Sequence, residues 1–249
     1  MRLSRTSLLP LLALALTLTV LTGAGAETSS VAPSFSAPTQ FTNPYMPFQP
    51  GAVKIYAGRS EGAVLVIADL FLAETRSFTV GGKTVECAAL QETEFEDGVI
   101  TEISRNYFAQ ADDGAVYYFG EIVDHYDGGQ VTDHEGSWLV GGPTLASDAA
   151  EIATATKASV FMPATPAAGD SWHPEDLPPI AQENALALAT DTTIKVRAGK
   201  FLGVLLVQET SDFEDTEVER KWYAPQVGLV KSQSKQEKLQ LVATMLVQK

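Results

Sequence analysis

The sequence is poor in cysteine, histidine and basic residues, and each shortage narrows what the protein can be. Its 249 residues include one cysteine, Cys87, so no intrachain disulfide can form. Cys87 lies in a strand-like apolar run beside Glu86, which indicates a buried and unreactive thiol. Lysine and arginine number 17 against 31 acidic residues, a formal net charge of −14. A chain this acidic repels nucleic acid and anionic membrane surfaces, so we expect neither as a partner.

The three histidines do not follow the spacing of a known metal site. His125 and His134 would lie on neighbouring strands near Asp124 and Asp133, so a metal site is one alternative. Exposed strand ends account for these residues equally well. The turn Asp112-Asp113-Gly114 lacks the alternating acids of a calcium loop. We therefore predict no metal site, no cofactor and no catalytic residues, and we expect a protein that is not an enzyme.

Long apolar runs are confined to the amino terminus. Arg2 and Arg5 precede an almost wholly apolar run over residues 8–21, and a small-x-small sequence ends at Ala26. This order is typical of a secretory signal peptide over residues 1–26, cleaved after Ala26, so we expect a secreted or periplasmic protein. The run is shorter than the roughly 20 residues of a membrane span, and no later run could span. Loss of both arginines with the signal changes the formal charge from −14 to −16.

The remaining chain divides into a short leader and one β-rich domain. Residues 27–40 are rich in Ser, Thr, Pro and Ala, which predicts a disordered leader. Residues 41–249 are predicted to form a single domain, since strand-length apolar runs alternate there with Gly and Pro turn signals. Few large apolar residues occur near 141–160, which indicates a surface excursion. A dozen or so strands predict a mainly β fold with little helix: an antiparallel meander forming a strongly curved sheet or half-barrel.

The central element of this predicted fold is a β-hairpin between Tyr107 and Glu121. Two aromatic-rich runs flank Asp112-Asp113-Gly114, a strong turn signal, and we expect Gly114 to be left-handed. Counting back along both strands sets Arg105 opposite Glu121. The two should form a buried ion pair or, failing that, face a ligand. The second strand is apolar on both faces, so it is either covered on both sides or lines a cavity.

Several short stretches match a common pattern. Residues 43–51 read N-P-Y-M-P-F-Q-P-G, residues 116–121 read V-Y-Y-F-G-E, and residues 223–228 read Y-A-P-Q-V-G. Together they resemble a family of secreted bacterial β-rich proteins of uncharacterised function, over most of residues 41–230. Residues 196–201 and 223–228 also resemble, more weakly, motifs of lipoprotein-carrier-like periplasmic proteins built on a curved antiparallel half-barrel. The resemblance implies an exported β-rich fold and brings no established activity.

Aromatic density on both faces of the central strands favours a binding module. We predict a non-enzymatic module that holds an apolar or amphipathic small molecule on a concave face. The residues expected to contact that ligand are Tyr107, Tyr117, Trp222, Arg105 and Glu121. One alternative is a structural or interaction protein of the cell envelope, with an envelope protein as its partner. A hydrolase with a dispersed Ser-His-Asp site comes third.

Overall fold

Sixteen β-strands form the regular structure of the described residues, 32–178, 181–211 and 218–245 of this computed structural model. In chain order they are β1 (Val53–Ser60), β2 (Ala63–Val80), β3 (Lys83–Glu96), β4 (Val99–Gln110), β5 (Val116–Asp127), β6 (Gln130–Asp133), β7 (Trp138–Val140), β8 (Ala153–Ala155), β9 (Ser159–Met162), β10 (Ser171–Trp172), β11 (Asp176–Leu177), β12 (Ala181–Val196), β13 (Gly199–Ser211), β14 (Val218–Ala224), β15 (Gly228–Gln233) and β16 (Glu237–Met245). None of the described residues is helical, which confirms the mainly β class. In this part of the chain there is no helix long and apolar enough to cross a bilayer. The predicted signal peptide, residues 1–26, lies outside the described residues.

The strands hydrogen-bond into one sheet in the order β10-β12-β13-β14-β15-β16-β1-β2-β3-β4-β5-β7-β8. β11 also pairs with β12, and β6 and β9 pair with β5. Consecutive strands are antiparallel neighbours from β1 to β5 and from β12 to β16, as the predicted meander requires. β16 pairs antiparallel with β1 and joins the two meanders. The pairing of β7 with β8 is parallel, so the sheet is mixed.

The sheet is strongly curved. β5 and β14 are seven strands apart in the sheet order, roughly 34 Å along a flat sheet at about 4.8 Å per strand. Side chains of both strands nevertheless line one cavity of 250 Å³: Tyr118 and Glu121 from β5, and Lys221 and Tyr223 from β14. The sheet therefore bends around this cavity, which defines its concave face. Its end strands, β10 and β8, do not pair with each other within the described ranges, so the sheet is open, in agreement with the predicted strongly curved sheet or half-barrel.

A buried ion pair fastens the predicted surface excursion to the outer, convex face of the sheet. Arg76 on β2 donates from Nη1 and Nη2 to the two carboxylate oxygens of Asp148, at 2.9 and 2.6 Å. The Asp148 carboxylate also accepts from the backbone N–H groups of Thr144 and Leu145, both at 2.8 Å. Ile152 is buried in the same core as the sheet residues. The middle of the excursion is therefore packed against the sheet.

Part of the predicted leader contacts the central hairpin. The ring of Phe35 packs edge-on against the rings of Tyr117 and Phe119, with centres 5.5 and 5.7 Å apart. The carboxylate of Asp112 accepts from the hydroxyls of Ser34 and Ser36, at 2.6 and 2.9 Å. These contacts place residues 34–36 of the predicted leader against the β4–β5 hairpin, and the disorder of residues 27–40 stays a prediction. Residues 27–31 lie outside the described part of the chain.

The turn of the central hairpin forms as predicted. Ala111 N donates to Ala115 O at 2.8 Å, and Gly114 N donates to Ala111 O at 2.9 Å. Gly114 has a φ of 95°, which confirms its positive-φ conformation. Asp113 Oδ1 accepts from Ala115 N at 2.9 Å, a local hydrogen bond typical of aspartate in turns.

The register further along this hairpin differs from the prediction. Tyr107 lies opposite Gly120, but Phe108 lies opposite Tyr118, so Phe119 is an extra residue in β5, a β-bulge. The bulge shifts every later pairing by one residue. Arg105 therefore lies opposite Ile122 and on the outer face, whereas Glu121 lies on the concave face. The predicted ion pair between Arg105 and Glu121 is wrong, because a one-residue shift moves a side chain to the other face of a sheet.

Candidate functional site

A row of polar residues crosses the concave face. Lys54 on β1 lies opposite Asp69 on β2, Asp69 lies opposite Glu92 on β3, and Glu92 lies opposite Ser104 on β4. Directly opposite residues share a face, with Cβ atoms about 4.5–5.5 Å apart. These four residues, the polar row, all line the 250 Å³ cavity. Burying polar groups costs free energy unless they find partners, so folding alone does not explain their presence.

Apolar and aromatic side chains form the rest of the cavity wall. Phe71 and Leu90 lie opposite each other beside the polar row, and Phe108 extends this wall on β4. All three are buried. The volume of 250 Å³ lies just below the ~300–1,000 Å³ usual for small-molecule pockets. A polar row beside an apolar wall in such a space fits a small amphipathic molecule.

Lys54 and Asp69 are buried side by side without being joined. Their exposed fractions are 4% and 6%, yet no ion pair connects them within the described residues. Lys54 Nζ lies instead 4.8 Å from the centre of the Phe71 ring, and Asp69 Oδ1 is buried without a hydrogen-bond partner. Burial lowers the pKa of Lys54 to about 8, against the opposing effect of Asp69. Burial likewise raises the pKa of Asp69, against the opposing effect of Lys54.

Burial favours the protonated forms of the carboxyl groups in the row and beside it. Burial, followed by the charge of Asp69, raises the pKa of Glu92 well above its ordinary value. Burial, followed by Glu175, raises the pKa of Glu121 to about 8. Burial also raises the pKa of Glu102, and nearby His125 opposes it. Since a protonated carboxyl can both donate and accept a hydrogen bond, this wall can adapt to different polar ligands.

The second lysine of the cavity, Lys221 on β14, is already engaged. Its Nζ lies 2.5 Å from Glu209 Oε2 and 3.2 Å from Glu219 Oε2. Glu209 Oε2 has no hydrogen bond of good angular geometry, but the short ion pair with Lys221 satisfies its charge. Burial alone would lower the pKa of Lys221, and Glu209 and Glu219 outweigh that effect and raise it well above the ordinary value. Lys221 therefore stays charged and does not neutralise the polar row.

Neutral polar groups fix the neighbouring part of the wall. Asn106 Nδ2 donates to Ser104 Oγ at 3.0 Å, and the hydroxyl of Tyr118 donates to Asn106 Oδ1. The Tyr56 hydroxyl donates to the backbone oxygen of Leu229 at 3.1 Å and ties β1 to β15 across the sheet. The polar row is thus presented by a wall whose side chains are already oriented.

Of the five residues predicted to contact a ligand, Glu121 lines the concave cavity. Arg105 is exposed on the outer face, where it borders a surface crevice of 320 Å³ together with Tyr107. Tyr107 itself is buried, and the guanidinium carbon of Arg76 lies 5.3 Å from the centre of its ring. Arg105 and Tyr107 are therefore separated from Glu121 by the sheet.

The other two predicted contacts, Tyr117 and Trp222, also lie away from the cavity lining. Tyr117 packs edge-on against Phe35 of the leader. Trp222 lies on the face opposite Tyr223, with Lys231 Nζ 4.2 Å from the centre of its ring. The structure thus brings Arg105 and Tyr107 together on the outer face, and it leaves Tyr117 and Trp222 in separate packing contacts.

Sequence reasoning missed Lys54, Asp69 and Glu92, although alternation along the strands carries a signal for them. Ile67, Asp69 and Phe71 are each two residues apart, so their side chains share one face of β2 and a charged side chain lies on an otherwise apolar face. A charge at such a position calls for an explanation. The register that aligns the three residues comes from long-range pairing and has no local signal.

Other chemically suggestive residues do not form a second site. Residues 58–62 read G-R-S-E-G, the spacing of a nucleophile motif, but they include the β1–β2 hairpin turn, whereas that motif requires a turn from strand to helix. His125 Nδ1 lies 2.7 Å from Asp133 Oδ1, on the exposed β5–β6 hairpin. Within the described residues, no group of three or more metal-ligating side chains is close enough to hold an ion. Cys87 is fully buried as predicted, and burial followed by Glu86 raises its pKa.

Comparisons with known proteins give a distant structural likeness. No protein-family model matches the chain, and no curated protein matches it. One similar crystal structure is a candidate lipoprotein from Parabacteroides distasonis, 13% identical, with a TM-score of 0.41, covering 83% of this chain and 100% of that one. Another is a candidate exported protein with a YmcC-like fold from Bacteroides fragilis, 10% identical, with a TM-score of 0.37, covering 81% of this chain and 98% of that one.

Proposed function

We propose that the protein is an exported, non-enzymatic binding module that holds a small amphipathic molecule in its concave cavity. The observation that carries this proposal is the buried polar row lying directly beside Phe71, Leu90 and Phe108 in one space of 250 Å³. The row would receive the polar end of the ligand, and the aromatic and aliphatic wall its apolar end.

Two features of the sequence and the cavity support the remaining parts of the proposal. Export is supported by the order of Arg2, Arg5, the apolar run over residues 8–21 and the small residues before Glu27. Binding without catalysis is supported by the cavity lining, which contains neither histidine nor cysteine among the described residues. Ser104 Oγ accepts a hydrogen bond from Asn106 Nδ2. The carboxyl group opposite it, Glu92, has a pKa raised by burial and by Asp69, which favours the protonated form over the base that would activate a serine.

Two measurements test whether the cavity binds an amphipathic molecule. Native mass spectrometry of the protein purified from the cells that produce it should show a co-purified small molecule. Isothermal titration with octanol should show saturable binding of one molecule per chain.

A point variant locates the binding. Leu229 is half-buried and lines the cavity, so Leu229→Gln should weaken octanol binding about tenfold, the equivalent of about 1.4 kcal/mol of lost apolar contact. The matched control is Leu202→Gln on β13, where the side chain is 64% exposed and does not line the cavity. Binding that is equal in both variants, or absent from the wild-type protein for octanol, octylamine and octanoate alike, contradicts the proposal.

A further inference from the structure

Acidic groups outnumber basic groups around the polar row. Asp69, Glu92, Glu102 and Glu121 line the cavity, against Lys54 and Lys221. Lys221 is engaged by two glutamates outside the row, at 2.5 and 3.2 Å. Lys54 alone therefore faces four carboxyl groups. A poorly solvated space with such an excess of acid favours either bound protons or a bound cation.

A second observation, independent of this charge count, points to the place where a cation would bind. Asp69 is 94% buried, given its exposed fraction of 6%, and its Oδ1 atom has no hydrogen-bond partner. Buried carboxylate oxygens in native proteins are nearly always hydrogen-bonded. Oδ1 therefore lacks a donor, although hydrogen bonds with Glu92 and Tyr56 lower the pKa of the Asp69 carboxyl group. Lys54 does not supply that donor, since its Nζ lies over the Phe71 ring instead.

We propose that the polar end of the ligand is a primary ammonium group, bound by the carboxylates of Asp69 and Glu92, with its apolar chain along Phe71 and Leu90. This inference rests on the proposed function and names the chemical class of the ligand. Asp69 and Glu92 lie opposite each other on β2 and β3, with Cβ atoms about 4.5–5.5 Å apart, so one ammonium can reach both. An ammonium offers three donors and no acceptor. Its positive charge favours the ionised forms of both acids, in place of the protonated form of Glu92 that burial and Asp69 favour without it.

Lys54 tunes this preference without reversing it. It lies on the far side of Asp69 from Glu92, since Asp69 pairs with Lys54 on β1 and with Glu92 on β3. A second cation can therefore approach Asp69 from the Glu92 side. Burial lowers the pKa of Lys54 to about 8, so its charge is more easily given up when a ligand cation binds. A ligand carboxylate would meet four acids and this single lysine.

Three probes with the same alkyl chain separate the head-group preference from apolar binding: octylamine, octanol and octanoate. The wild-type protein should bind octylamine at least tenfold more tightly than octanol or octanoate. Asp69→Asn and Glu92→Gln should each lower octylamine affinity about tenfold more than octanol affinity, which removes that preference. The matched control is Glu74→Gln, which removes an exposed acid from the same strand as Asp69 and should keep the preference.

The outcomes distinguish this inference from the proposed function. If octanol and octylamine bind with equal affinity, or octanoate binds most tightly, the ammonium assignment is overturned while the binding module stands. If Asp69→Asn and Glu92→Gln both keep the tenfold preference for octylamine, the assignment of the ammonium site to these two residues is overturned. If none of the three probes binds, both the inference and the proposed function fail.

A free amine and a lipid head group share this chemistry. Short-chain phosphatidylethanolamine, titrated in parallel, separates them: binding of this lipid together with octylamine supports a lipid ammonium, and binding of octylamine alone supports a free amine. Asp69→Asn should weaken whichever of these probes binds the wild-type protein.

Discussion

The ion pair of Arg76 with Asp148 should be a principal support of the outer face. Their side chains are 6% and 1% exposed, and the carboxylate accepts four hydrogen bonds, from the Arg76 guanidinium and from the backbone of Thr144 and Leu145. Asp148→Ala leaves the guanidinium buried without its counter-ion, which costs about 3–5 kcal/mol. Because a domain is stable by only ~5–15 kcal/mol, this one substitution should lower the urea midpoint sharply.

The same pair also provides the test of the physical reasoning. In urea titrations, Arg76→Met combined with Asp148→Ala should cost less than the sum of the two single changes, by about 0.5–3 kcal/mol, because the double variant has no unpaired buried charge. Burial alone would raise the pKa of Asp148, but Arg76 and the backbone N–H groups outweigh it and hold that pKa below its ordinary value. The stabilisation is therefore present at neutral pH and is lost as the pH falls through the folded-state pKa. Strict additivity, or a cost below about 1 kcal/mol for Asp148→Ala, refutes the argument.

Two further predictions concern the hairpin and the cavity. Gly120 has a φ of 123°, and a Cβ there would lie 2.2 Å from Trp138 O. Gly120→Ala should therefore lower the thermal midpoint more than Gly114→Ala, where the added Cβ would lie no closer than 3.5 Å to another residue. Equal shifts of the thermal midpoint would contradict this prediction. Burial and Glu175 raise the pKa of Glu121 to about 8 in the folded state. Between the lower pKa of the unfolded state and this value, Glu121 is protonated in the folded protein and ionised in the unfolded one. Stability should therefore fall as the pH rises towards 8, by up to about 1.4 kcal/mol per pH unit, and Glu121→Gln should reduce that slope in urea titrations; an unchanged slope would rule out this role.

Local chemistry made the turn of the central hairpin predictable, and a single extra residue made its register unpredictable. Asp112-Asp113-Gly114 specifies a tight turn through the positive φ that glycine adopts without steric cost. The bulge at Phe119 has no comparable signal, because Tyr117, Tyr118 and Phe119 are all large and aromatic and suit either face. Gly120 is the nearest hint, since its lack of a side chain permits the close approach of the Trp138 backbone.

Alternation along a strand shows which residues share a face, but it does not show which face is concave. Trp222 and Tyr223 are adjacent aromatic residues of β14, and the sequence gives no reason to prefer either for a cavity. The structure places Tyr223 in the cavity and Trp222 against Lys231. The choice depends on the bending of a sheet in which the cavity-lining strands β5 and β14 are seven positions apart, and such bending is a property of the whole assembly.

The position of the polar row in the sheet bears on why costly buried charges are retained there. Lys54 lies on β1, the strand through which the β12–β16 meander joins the β1–β5 meander. The cavity wall takes residues from both meanders, Asp69 and Glu92 from one and Lys221 and Leu229 from the other. The site is therefore complete only when the last strands of the chain have paired with the first. Replacing buried ionic groups by apolar residues of similar size is often neutral or stabilising. The stability of the sheet therefore does not require a row of them at this junction, and the ligand that we propose would give the row a role.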